Sequence, residues 1–570
     1  MMRTLCSLML LLSLVVWESR AKEFAYPIVG TKKLHSASFG ELRENHFHSG
    51  IDIKTEGEEG KSIVAIADGY VTRIVMSSNG YGRALYVYHP KLRKMSVYGH
   101  MLLFREDIEQ YLFAEQCRRK SNKITLYPKA GEFPVKQGDK IGLSGNSGMS
   151  FGAHLHFELR DASGERVYNI VRQGFMQPVD NVRPQLLRLH RIEVDTVEGV
   201  AVERLVATYD IRRNRGQHTI NKEVKIGRNG YFVIECRDRH NGTINRYGVY
   251  RTTLYVDGKR VFERRMDSFT FAESRYCNMI GYYPMLNGSN CEVLRLARTQ
   301  SVPSHLFKYL RDDGLVVAEV GQRRHIRIEV EDDSGNMSHI EFDARGAALR
   351  VDYQKQSGEQ SVKCGEQCLI SNGDVTAFLN ENTLYETSFC KVERLDETVD
   401  IESVAVLSSL YRVCCGTGPL RGNVNIAWRI SVLPHLQRGL ALARRNHKGI
   451  FKYAGGIFWG SHITLQSRSA GDYVVVADTV CPTIKPPKRG SIKGSKGAEY
   501  RFEVGDNFSG IRRYGCRVDG EWYPIEYRPV EGTLILRADR SLKRSIAGAD
   551  VELWVEDGCR NMCRWQGSLP

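Results

Sequence analysis

Between residues 24 and 175 apolar and polar positions alternate in short runs. "SIVAIADGYVTRIVM", "RALYVYHP", "KMSVYGHM" and "HLHFELRD" read as strands, and the turns "NGYG", "KQGD" and "GNSG" punctuate them. The pattern predicts an antiparallel sheet. One segment departs from it. "REDIEQYLFAEQCRRK", residues 105–120, brings together Ile108, Tyr111, Leu112 and Phe113 in a way that suits an inserted helix.

Beyond about residue 185 the chain is again strand-rich and carries a repeat. "RDRHNGTINRYGVYRTTLYVDGK" (237–259) matches "GDNFSGIRRYGCRVDGE" (505–521), and "VEDDSGNM" (330–337) matches "VEDGCRNM" (555–562). Two copies of one β-sandwich module account for both matches. The segments "SFCKVERL", "GNVNIAWRISV" and "GSHITLQSRSAGDYVVVAD" lie between the copies and also read as strands. The Pro-, Gly- and Lys-rich stretch 481–497 reads as a linker or exposed turn. The expected units are 22–180, a β-sandwich at 185–345, a β-rich module at 346–480, and a second sandwich at 481–570. The class is mainly β.

The 570 residues exceed what one core usually supports. Hydrophobic residues make up 42% and charged residues 26%, a globular balance. Residues 1–21 read as a secretory signal: Arg3, the apolar run "LCSLMLLLSLVVW", then Ser19 and Ala21 before a cut ahead of Lys22. An uncleaved anchor is the alternative reading of that run, which is short for a membrane span. The mature chain is expected to have no transmembrane segment and to be exported, periplasmic or secreted. Removing Cys6 from the 14 cysteines leaves an odd number, so complete internal pairing is excluded. Cys364 with Cys368 and Cys559 with Cys563 are candidate local pairs. The net charge of +15 suits anionic envelope polymers, lipid headgroups or nucleic acid, but no nucleic-acid motif accompanies it.

The candidate chemistry sits in "NHFHSGIDI" (45–53) and "HLHFEL" (154–159). His48 and Asp52 are four apart and converge if the segment is extended; His154 and His156 share one strand face. Two such strands side by side offer two histidines and a carboxylate, an arrangement that serves catalytic zinc with an open position. It also serves non-haem iron, and a lone His-x-His is often only a half-buried strand. His46 shares the face of His48 if the strand extends back and would then flank the groove; the plainer reading is a groove-edge or solvent histidine, because the site already has its ligands.

"HFHSGIDI", "VAIADGYVTRIV", "GYGRALYVYHP", "SVYGHM" and "VKQGDKIGLSGNSGMSFGAHLHFELRD" occur in this order over roughly residues 30–165. Together they resemble the lysostaphin-type zinc metallopeptidases that cut peptidoglycan. The resemblance implies an antiparallel β-sheet metallopeptidase domain, here followed by several immunoglobulin-like β-sandwich modules. It implies Zn2+ held by His48, Asp52 and His156, with His154 and His100 as catalytic histidines. Gly145, Gly148 and Gly152 would allow a tight turn before the ligand strand, and Gly50 would remove bulk beside the metal. His89 reads as structural, while Glu41 and Arg43 are expected to contact a peptide or hold the loop. The stretch from Met101 to Glu132 is long for the family, and its helix is expected to border the groove.

The leading expectation is therefore a zinc-dependent endopeptidase acting on stem peptides or cross-links of peptidoglycan, its partner, with other envelope proteins as further partners. Two alternatives stand beside it: a non-catalytic envelope-binding or hydrolase-activating protein, and a zinc peptidase of glycine-rich proteins.

Overall fold

The structure, a computed structural model, describes residues 24–176, 178–286, 290–492, 494, 497–538 and 546–570. The expected signal segment and its cut before Lys22 lie outside the described residues. No helix among the described residues is long and apolar enough to cross a membrane.

The alternating runs of the N-terminal unit form β1 (His35–Ala37), β2 (Ile51–Lys54), β3 (Gly69–Met76), β4 (Arg83–His89), β5 (Lys94–Gly99), β6 (Ile124–Leu126) and β7 (His154–Asp161). They belong to one ten-stranded sheet whose main path runs β1-β2-β7-β5-β4-β3-β6, and neighbours along it are antiparallel. Alternation decides which face is buried. On β7, Leu155, Phe157 and Leu159 join Ile51, Ile53, Val87 and Tyr98 in one apolar cluster, each worth about 1.5–3 kcal/mol when fully buried. His154, His156 and Glu158 must then share the opposite face. His89 is a structural pin: its ring nitrogens lie 3.1 Å from the Asp68 carbonyl and 2.7 Å from Ser96 Oγ.

The helix expected over 105–120 is α1 (Glu106–Arg119). Glu106, Asp107 and Glu109 open it, Arg118 and Arg119 close it, and both groups complement the helix dipole. Lys120, at φ 48°, ends it in the left-handed region. Ile108 and Leu112 face the core. The outward contacts go to the last sandwich: Phe113 meets Tyr523 at 5.4 Å between ring centroids, and Asn122 donates to the Tyr514 carbonyl and accepts from the Ile525 N–H.

Three further pairs of sheets follow. Gln185–Val197, Val200–Asp210, Gly230–Arg237 and Glu292–Arg295 form a four-stranded sheet that shares one apolar cluster with an eight-stranded sheet containing Arg251–Val256, Arg323–Glu331 and Met337–Gly346. Most pairing is antiparallel, but Val224–Ile226 runs parallel to Met337–Gly346. A seven-stranded and a five-stranded sheet occupy residues 360–477, around Val413, Ile426, Trp428 and Val475. A five-stranded and a four-stranded sheet occupy 483–568, around Phe502, Leu534 and Val551. The protein is mainly β.

The first sandwich is fused to the N-terminal unit. β8 (Arg166–Tyr168) pairs with both β7 and β9 (Ser268–Thr270), so the ten-stranded sheet continues into it. Phe39 and Phe47 belong to the same cluster as Phe232 and Ile328. The Phe47 N–H donates to Ser274 Oγ at 3.0 Å, which anchors the chain just before His48. The described cysteines are free thiols; neither Cys364 with Cys368 nor Cys559 with Cys563 is bonded.

Candidate metal centre

Register brings the site together. β7 lies between β2 and β5, and His156 is opposite Asp52 on one side and Gly99 on the other. A Cβ on Gly99 would stand 3.2 Å from that of His156, so a bare position there leaves the imidazole its room. His48 enters from a loop, not a strand. The strand His46–Phe47 stops one residue before it. His46 therefore does not share its face: it is exposed, with Nδ1 2.9 Å from the Glu44 carbonyl, while His48 is buried.

Each imidazole has one nitrogen fixed by an acceptor. His48 Nδ1 lies 2.7 Å from the Ser38 carbonyl. His156 Nε2 lies 2.9 Å from Glu158 Oε1. His154 Nδ1 lies 2.8 Å from the Gly152 carbonyl, and His100 Nδ1 2.8 Å from the Ser147 carbonyl. In the neutral ring those nitrogens carry the proton, which leaves the other nitrogen of each as a lone-pair donor. His48 Nε2 and His156 Nδ1 both turn to Asp52 Oδ1, at 3.1 and 2.8 Å, and stand 3.2 Å from each other. Two imidazole nitrogens and a carboxylate oxygen aimed at one point, with their outer atoms held, are a donor set that could hold a metal ion such as zinc with an open side. The residues fit the metal. His154 Nε2 is 3.5 Å from Asp52 Oδ1, and the His154 and His100 rings lie 4.7 Å apart.

His100 stands at φ 57°, between β5 and the strand Met101–Phe104. A left-handed residue with a side chain costs roughly 1–2 kcal/mol, offset here by its N–H donating to the Tyr81 carbonyl at 2.8 Å. Glycines shape the other loops. Gly148 has φ 76°, and a Cβ on it would stand 2.4 Å from the Gly82 nitrogen; on Gly145 it would stand 2.5 Å from the Leu102 nitrogen. Gly152 meets nothing within 4 Å and imposes no such limit. A Cβ on Gly50 would stand 2.3 Å from the Phe157 carbonyl oxygen. Gly50→Ala is expected to destabilise by roughly 1–3 kcal/mol and to weaken zinc binding. Thermal unfolding and zinc titration check this, and parental values for both would show that the loop yields freely.

No family model matches the chain. Over 111 residues it is 32% identical to a curated protein of Haemophilus influenzae described as an uncharacterized metalloprotease. The match covers 20% of this chain and 18% of that protein. Solved structures with a similar fold region include three peptidase-related chains. The catalytic domain of lysostaphin from Staphylococcus simulans is 19% identical, covering 25% of this chain and 93% of that one, with a TM-score of 0.19. The catalytic domain of the prophage-encoded protein EnpA of Enterococcus faecalis is 27% identical, covering 24% and 85%, with a TM-score of 0.18. A zinc-containing peptidase of Vibrio cholerae is 22% identical, covering 27% and 39%, with a TM-score of 0.19. The motif order, the converging donors and the metalloprotease relative agree. The N-terminal unit is similar to that metalloprotease.

The N-terminal unit also contains a supporting layer that reading the chain in one dimension missed. Glu158 is fully buried. Besides His156 it accepts from Ser49 Oγ at 2.5 Å, Tyr81 Oη at 2.6 Å and Arg160 Nε at 2.6 Å. Tyr81 also stacks on His156, with ring centroids 4.9 Å apart. Glu41 and Arg43 hold the loop: Glu41 accepts from the Ser38 N–H at 2.6 Å, and Arg43 lies 2.8 Å from Glu41 and 3.8 Å from Asp52 Oδ2.

The electrostatics favour positive charge at the centre. Burial pushes the Asp52 carboxyl up, but His48, His154 and His156 outweigh it and hold it well below the usual range. Burial likewise lowers His156, yet Asp52 and Glu158 raise it to about 9 from an ordinary 6.5. Without metal, a charged His156 thus stabilises the fold fully below 6.5, and this is lost as pH rises through 9. Ligation requires the neutral ring, so zinc binding strengthens over the same range. The melting-temperature gap between zinc-loaded and metal-free protein is therefore expected to widen from pH 6.5 to pH 9. Melts at the two pH values check this, and a constant gap would contradict it.

Proposed function

We propose that the chain is an exported, zinc-dependent endopeptidase that hydrolyses stem peptides or cross-links of bacterial peptidoglycan. One observation carries the reading: His48 Nε2, Asp52 Oδ1 and His156 Nδ1 converge on one point, and His154 and His100 stand beside it, each with Nδ1 held by a backbone carbonyl. A bound zinc ion supplies Lewis-acid polarisation of the scissile carbonyl and of water.

The chain's own residues manage the proton. Burial, then the neighbouring His154 and His156, push His100 down to about 3, so it is neutral at pH 7. With Nδ1–H given to the Ser147 carbonyl, its Nε2 is an acceptor that takes a proton from the attacking water. Once protonated it becomes a donor, to the oxyanion and then to the leaving amine. His154 presents Nε2 to the same space, 3.5 Å from Asp52 Oδ1, where it can hydrogen-bond the substrate or the water. The net charge of +15 suits the anionic polymers of an envelope.

The test is release of soluble peptide-bearing fragments from purified sacculi. Release is expected to stop on chelation and to return with one equivalent of zinc. Release that persists in the chelated protein would overturn the reading.

A further inference from the structure

The repeat contains a second pattern that plays no part in peptide hydrolysis. Three aspartates recur at matching places. Asp180-x-Val182-x-Pro184 corresponds to Asp478-x-Val480-x-Pro482, just ahead of each sandwich. Asp238-x-x-x-Gly242 corresponds to Asp506-x-x-x-Gly510, and Asp332-x-x-x-Asn336-Met337 to Asp557-x-x-x-Asn561-Met562. The three turns are far apart in sequence, yet each set gathers at one end of its sandwich.

The last turn is built alike in both copies. Asn336 Nδ2 donates to Asp332 Oδ2 at 2.9 Å and to the Asp180 carbonyl at 3.3 Å. Asn561 Nδ2 donates to Asp557 Oδ2 at 2.7 Å and to the Asp478 carbonyl at 3.0 Å. Asn336 also reaches Asp180 Oδ2 at 3.1 Å. In the second copy Asp478, Asp506 and Asp557 each bring a carboxylate oxygen within 4.8 Å of the others; in the first, Asp180, Asp238 and His240 Nδ1 or Nε2 do so, with Asp332 joined through Asn336. That span is twice a calcium–oxygen bond of about 2.4 Å.

A second observation points to a ligand. Asp238 is fully buried, and among the described residues neither of its carboxylate oxygens has a hydrogen-bond partner of good geometry, the Arg239 N–H lying close but poorly aimed. His240 Nε2 lies 3.6 Å from Oδ2 and is itself without a hydrogen bond. Asp478 is also fully buried, with Oδ2 unpaired, and Asp506 Oδ1 is unpaired beside it. A bare buried carboxylate is among the costliest groups a fold can hold. Protonation would remove the charge but would leave an O–H with no acceptor. Burial pushes the Asp238 carboxyl up to about 9, with the Arg239 N–H only partly offsetting it and Asp333, Asp180 and Glu292 adding to it. The charges that weigh on Asp557 are likewise carboxylates, Asp506 and Asp478.

We propose that each sandwich copy holds one divalent cation of the hard, oxygen-preferring kind, Ca2+, at Asp180–Asp238–Asp332 and at Asp478–Asp506–Asp557. Carboxylate is the donor common to both copies. His240, stacked on Tyr247 at 3.7 Å between centroids, belongs to the first alone. Each cation ties the connector ahead of a sandwich to two of its turns. The first also steadies the zinc unit, because Tyr247 Oη donates to the His35 carbonyl at 2.8 Å, and the strand of His35 pairs with the strand of Asp52.

Calorimetric titration of the zinc-loaded full chain with CaCl2 tests this, with thermal melts alongside. Two Ca2+ per chain and a rise in melting temperature are expected. Asp238→Asn and Asp506→Asn are each expected to lose one Ca2+ and keep the other. Each variant should melt no lower than the parent in calcium-free buffer, because an amide needs neither cation nor proton to be buried uncharged, while gaining less from Ca2+. No binding at millimolar Ca2+, unchanged stoichiometry in both variants, or binding of Zn2+ alone at these clusters would overturn the proposal.

Discussion

His156→Ala and Asp52→Ala are each expected to abolish zinc binding and to lower peptide release by on the order of 10³-fold or more. Both positions are central. Asp52 Oδ1 meets His48, His154 and His156, and His156 Nδ1 stands nearest to it of the three, at 2.8 Å. His154→Ala and His100→Ala should behave differently. Neither is in the donor set, so zinc remains, while loss of the proton carrier lowers turnover by about 10²–10⁴-fold. Zinc content measured beside sacculus digestion separates the two classes. Zinc bound at full stoichiometry by His156→Ala, or full activity in any of the four variants, would contradict the assignment.

Glu158→Ala is expected to have the largest effect on stability. Glu158 takes hydrogen bonds from His156, Ser49, Tyr81 and Arg160, and none of its surface is exposed. Removing it strands the buried Arg160 guanidinium, a loss of about 3–5 kcal/mol for a broken buried pair. It also frees the His156 ring, whose tautomer it sets, so zinc affinity should fall by about 10–100-fold. Glu158→Gln keeps the volume and one acceptor oxygen, and is expected to retain more stability than affinity. Denaturant unfolding and zinc titration check both variants. Parental stability in Glu158→Ala would show that Arg160 finds water or another partner.

The parts of the site that follow a local period were legible in the chain. His154 and His156 share a face because a strand alternates, and Glu158 lies two residues further on the same face, where the same rule would have found it. The His48–Asp52 spacing was read from an extended segment, but the convergence comes from a loop anchored by Phe47 and the Ser38 carbonyl. That is also why His46 falls away from the site. His100 depends on a left-handed bulge that no periodicity signals, and only the family resemblance reached it. Tyr81 and Ser49 meet Glu158 through tertiary packing alone. The inserted helix was legible at 105–120, but its outward partner was not, because Phe113 and Tyr523 are joined only by the docking of the last sandwich. The repeat was visible as matched turns. The acidic clusters were not, since each needs three distant turns brought to one place.

Mass analysis of products from muropeptides of defined cross-linking, with zinc-loaded and chelated protein side by side, tests the central claim most directly. The account predicts cleavage of a peptide bond, with the glycan intact, in the zinc-loaded sample alone. Uncut muropeptides, or the same products after chelation, would contradict it.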